Sequence, residues 1–67
     1  MQIEHQLPDY VGSARKKFII KKIGENFGYQ SITLANKLII DLPSETDKLI
    51  IFNLGALVGT LINSDAV

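Results

Sequence analysis

The chain has 67 residues, with seven Lys or Arg balancing seven Asp or Glu and no cysteine. That length makes one small domain, which buries only about 60% of its unfolded surface and gains from outside support. Without cysteine there is neither a disulfide framework nor a thiolate metal site, which leaves self-association as the most available support, and zero net charge argues against a strongly basic nucleic-acid-binding domain.

Residues 1–8 read as an N-terminal arm, loose or docked on a neighbouring subunit, and polar except for Ile3 and Leu7. The segment has neither the basic start nor the apolar centre of a secretory leader, which places the protein in the cytoplasm. His5 is the only histidine and has no partners for catalysis or metal binding, so it reads as a surface residue. The excess of Ile over Ala suggests an AT-rich coding source such as a phage or plasmid.

Pro8 and Asp9 can start a helix over 9–24, with Tyr10, Val11, Ala14 and Phe18 on one side and Ile19, Ile20 and Ile23 on another. This segment carries Arg15, Lys16, Lys17, Lys21 and Lys22, which do not form one clean stripe. They are a solvated face or, in the functional reading, the contact for phosphates or an acidic partner surface. Residues 1–30 hold these five cations against Glu4, Asp9 and Glu25. Residues 31–67 hold only Lys37 and Lys48 against Asp41, Glu45, Asp47 and Asp65, so the chain has a basic half and an acidic half.

Gly24 to Gly28 (GENFG) reads as a break, and without a following Gly-Lys-Ser/Thr it is not a phosphate-binding loop. Phe27 and Tyr29 flank it as core anchors or, in the alternative, exposed contacts. Ser31 then caps an amphipathic helix over 31–42, in which Ile32, Ala35, Leu38, Ile39 and Leu42 oppose Thr33, Asn36, Lys37 and Asp41. The short link through Leu42 and Pro43 makes it half of a helical hairpin.

The second half is an apolar helix over 44–63, opened by Ser44 as N-cap and Asp47 three residues on. From Leu49 to Ile62 it is apolar on nearly every side, and such a helix must be covered nearly all round. The expected oligomer interface is Ile50, Phe52, Leu54, Gly55, Leu57, Val58, Gly59 and Leu61, with Gly55 and Gly59 spaced to admit a second backbone. The alternative is a strand pair turning at these glycines. The apolar run is shorter than the roughly 20 residues of a membrane span. Ser64 to Val67 are short and polar enough to fray.

The expected fold is therefore all-α, a small three-helix domain with a C-terminal helical hairpin, homo-oligomeric. Its alternative is α+β with a short strand or hairpin, ribbon-helix-helix-like, the strand lying near Lys17 to Ile23. A helix-turn-helix fits poorly, because Glu45 and Asp47 at the start of the second helix repel phosphates.

Ser13, Ser31, Ser44 and Ser64 have only His5 as a base and no nucleophile-elbow motif. No catalytic residues, metal site or cofactor are expected. The pattern points to a non-enzymatic helical module that self-associates and binds or modulates a macromolecular partner, an unidentified protein, as inhibitor or adaptor. The alternative is a dimeric DNA-binding regulator whose partner is nucleic acid.

Overall fold

In the computed structural model, which describes residues 1–63, the chain runs β1 (Gln2–Gln6), α1 (Ser13–Phe27), β2 (Ser31–Leu34), β3 (Lys37–Asp41) and α2 (Lys48–Ile62). The strands form one antiparallel sheet in the order β1-β3-β2. The three-helix, all-α expectation is wrong, and the α+β alternative describes the protein. Its strands lie elsewhere than expected, because Lys17 to Ile23 falls inside α1. The expectation for 64–67 lies outside the described residues.

Residues 1–8 are not a loose arm, because Ile3, His5 and Leu7 alternate with Gln2, Glu4 and Gln6, the period that gives a strand one inward face. Leu7 ends this row fully buried. The segment 31–42 is a hairpin, not a helix. Its aliphatic positions suit both periods, but Ile32, Thr33, Ile39 and Ile40 favour a pleated surface, and pairing with β1 settles the competition for β3. Alternation turns Leu38 and Ile40 toward the helices and Ile39 the other way.

The hairpin loop is Ala35 and Asn36, with Ala35 left-handed at φ 55°. Two-residue loops need a positive φ, usually supplied by Gly or Asn, and here alanine takes the strain. Several bonds hold the tip. Asn36 O accepts from Leu7 N–H at 2.7 Å, and Asn36 Nδ2 donates to Asp9 Oδ1 at 2.8 Å. Lys16 Nζ donates to Ala35 O at 3.0 Å.

The basic helix starts later and ends later than 9–24. Gly12 is its N-cap, and it runs through Gly24 to Gly28, a left-handed C-cap at φ 73° whose N–H bonds to Gly24 O. The apolar helix begins at Lys48, capped not by Ser44 but by Asp47, whose carboxylate accepts from Leu49 N–H at 2.8 Å. It is a helix, not a strand pair.

Both helices pack on one face of the sheet. The core is Leu7 and Val11, Ile19 and Ile23 of α1, Leu38, Ile40 and Leu42, and Leu54, Val58 and Leu61 of α2. Phe27 and Tyr29 stack at 5.8 Å and pack on its margin. Among the described residues no polar or charged residue is buried, so the core is held by apolar burial alone. No helix of the described residues is long and apolar enough to cross a membrane.

Candidate interaction surfaces

The outer side of α2 stays apolar. Leu49 is 65% exposed and Phe52 72% exposed, and they lie one turn apart with Ala56 and Gly59 continuing the same side of the helix, also exposed. Asn53 and Thr60 border this strip, and Thr60 bonds back to Ala56 O at 2.9 Å. Leu49 was not among the expected interface residues. Its spacing to Phe52 and Ala56 was visible in the sequence, but which stripe of an all-apolar helix turns inward depends on the sheet.

The eight expected interface residues divide between the two sides of α2. Leu54, Val58 and Leu61 are buried in the chain's own core, and Ile50, Gly55 and Leu57 are half-buried. Phe52 and Gly59 are the exposed ones. At Gly55 the close neighbour is the His5 ring, because a Cβ there would sit 3.6 Å from His5 Cε1. His5 is thus half-buried against α2 rather than a free surface residue. A Cβ at Gly59 would meet nothing within 4 Å.

The five cations of the basic segment also separate. Arg15 Nη1 donates to Leu61 O at 2.9 Å, closing the C-terminal end of α2, where positive charge is favoured. Lys16 binds the hairpin tip, and Lys22 lies 3.2 Å from Glu25 and 5.5 Å from the centre of the Phe18 ring. Lys17 and Lys21 are exposed one turn apart on α1 and have no acceptor among the described residues.

The sheet face turned away from the helices is a second apolar surface that the sequence reading assigned to a helix. It carries Ile32 and Leu34, 60% and 65% exposed, beside Ile39. Glu4 and Lys37 pair across it at 3.8 Å, and Gln2 Nε2 donates to Asp41 Oδ1 at 2.9 Å. Among the described residues no three His, Asp or Glu come together to hold a metal, and no cavity opens. Compared with known protein families, curated proteins and solved structures, the chain matches none.

Proposed function

We propose that the chain is a non-enzymatic α+β interaction module of the cytoplasm that self-associates through the outer side of α2 and binds or modulates a macromolecular partner. The observation carrying this reading is Phe52, a large aromatic 72% exposed at the middle of an apolar strip with Leu49 and Ala56. Exposed aromatic and aliphatic residues grouped on one helix side are what an interface core is built from. Gly59 on the same strip leaves room for a neighbouring helix to come close.

Amide shifts recorded on dilution test this directly. Leu49, Phe52, Ala56 and Gly59 should move with concentration while core positions such as Ile19 and Leu38 hold still. Shifts independent of concentration along α2 would remove the self-association reading.

A second reading rests on Lys17 and Lys21, whose exposed ammonium groups one turn apart could meet phosphates of a duplex. Its test is duplex binding at low salt, falling steeply as salt rises and lost in Lys17→Glu/Lys21→Glu. No binding of any duplex at low salt would eliminate it.

A further inference from the structure

The two edges of the sheet differ in how they are protected. Met1 exchanges both main-chain bonds with Leu42, and Leu7 N–H donates to Asn36 O, so the odd-numbered residues of β1 bond to β3. Antiparallel ladders alternate, which leaves the main-chain N–H and C=O of Gln2, Glu4 and Gln6 on the open edge. On the other side Asp41 N–H donates to Gln30 O at 2.9 Å, so the even-numbered residues of β2 bond to β3. The N–H and C=O of Ser31 and Thr33 are left on that edge. Open edges normally carry a charge, a proline or a bulge that discourages further pairing. The β1 edge has Glu4 between two glutamines, whereas β2, Ser31-Ile32-Thr33-Leu34, has none of these and turns Ile32 and Leu34 into solvent.

Two features at the β2 edge are unused by the fold. Ser31 Oγ is buried without a hydrogen-bond partner among the described residues, which normally costs free energy. The second is Gly24, on the flank of α1 above that edge. Arg15 reaches α2, and Gly24 follows it by about two and a half helical turns, so Gly24 points away from α2. Gly55 of α2 sits over His5 of β1, so this far flank of α1 lies over β2. A Cβ on Gly24 would meet nothing within 4 Å and its φ is not positive, so nothing within the chain calls for a glycine that weakens the helix.

We infer that the β2 edge pairs with β2 of a second copy, antiparallel about a two-fold axis at Ile32, making one continuous sheet across both copies. Ser31 and Thr33 of each copy then exchange main-chain hydrogen bonds with Thr33 and Ser31 of the other. The same pairing brings Ser and Thr hydroxyls together across the strands, which supplies the partner that Ser31 Oγ lacks. Ile32 meets Ile32 on the outward face, and β2 carries no charge to be buried or set against its like. α1 runs back along β2, from Lys16 at the hairpin tip to Gly28 ahead of Ser31. The axis therefore passes beside the middle of α1, where Ile20 and Gly24 lie one turn apart. Ile20 of one copy packs on Gly24 of the other, and the two Lys17 residues fall at opposite ends of the crossing. The contact is isologous, joins edge bonds to a helix crossing, and is independent of the α2 strip.

Sedimentation equilibrium and amide hydrogen exchange on the full chain in the Phe52→Glu background test this edge apart from that strip. The expected result is a monomer to dimer equilibrium in which the Ser31 and Thr33 amides exchange more slowly as concentration rises, while those of Glu4 and Gln6 stay fast. Thr33→Pro removes an N–H that no strand of its own copy uses, and should abolish the dimer with the circular dichroism retained. Since proline also stiffens β2, Gly24→Leu is the second variant. Its side chain enters open space in the monomer, so the melting temperature should hold or rise while the dimer weakens several-fold. A monomer at every concentration, slowed exchange at Glu4 and Gln6 in place of Ser31 and Thr33, or a dimer indifferent to both variants overturns the inference.

Discussion

Arg15 near the start of α1 donates through Nη1 to the main-chain oxygen of Leu61 in the last turn of α2, at 2.9 Å across 46 residues of sequence. The bond ties the two helices together where α2 has carbonyls without intrahelical partners. Arg15→Met should cost about 1–2 kcal/mol by chemical denaturation, and Arg15→Lys less, since a lysine keeps the charge but not the fork. An unchanged midpoint in Arg15→Met would mean that the contact contributes nothing in solution.

At the hairpin tip Ala35 holds φ 55° and its oxygen accepts from Lys16 Nζ. A left-handed residue with a Cβ is strained by about 1–2 kcal/mol, whereas glycine adopts it freely at some entropic cost. Ala35→Gly is therefore expected to raise stability by about 0.5–1 kcal/mol, and Ala35→Val to lower it. Thermal melts of the two variants shifting the same way would contradict this account of the turn.

Gly55 and Gly59 test fold and assembly against each other. A Cβ at Gly55 would make an ordinary contact with the His5 ring, and one at Gly59 would stand in open space. Each Gly→Ala change should stabilise the folded chain by about 0.5–1 kcal/mol through helix propensity. If the α2 strip closes on a second helix at Gly59, Gly59→Ala should weaken assembly even as the melting temperature of the diluted chain rises. Gly55→Ala should leave assembly intact. Destabilisation of the diluted chain by Gly59→Ala would show that the glycine serves the fold.

Leu54 and Phe52 lie two residues apart on opposite sides of α2, one fully buried and the other mostly exposed. Leu54→Ala should cost about 2–5 kcal/mol, comparable to the roughly 3–5 kcal/mol a core of this size supplies. That variant should be largely unfolded by near-ultraviolet and amide spectra. Phe52→Glu should hold the diluted chain's stability within about 0.5 kcal/mol. Equal losses in both variants would contradict the inward and outward sides assigned to α2.

What the sequence made legible was local. The helical character of α2 follows from residues within a few positions of one another, as does its cap, which falls on Asp47 rather than on Ser44; the turn after α1 is also local, although it comes at Gly28 and the helix runs on through Gly24. What it hid was pairing. Gln2–Gln6 shows the strand period in Ile3, His5 and Leu7, but so short a segment becomes a strand only because β3 lies beside it. The hairpin lacked its usual punctuation, since Ala35 stands where glycine or asparagine would have announced a turn. Misreading 31–42 as a helix then hid the sheet face, because the outward side of Ile32, Leu34 and Ile39 exists only in strand geometry. On α2 an all-apolar helix does not say which stripe turns inward, and the core took Leu54, Val58 and Leu61 and left Leu49 and Phe52 outside.

The measurement that bears most directly on the proposed function is mass by light scattering coupled to gel filtration, run on the wild-type chain and Phe52→Glu, at low and high salt and freed of nucleic acid. The account predicts a wild-type assembly larger than the 7.4 kDa chain that persists at high salt, and a smaller species for Phe52→Glu that melts like the diluted wild type. A wild-type monomer at every concentration, or a Phe52→Glu assembly of unchanged size, would contradict it.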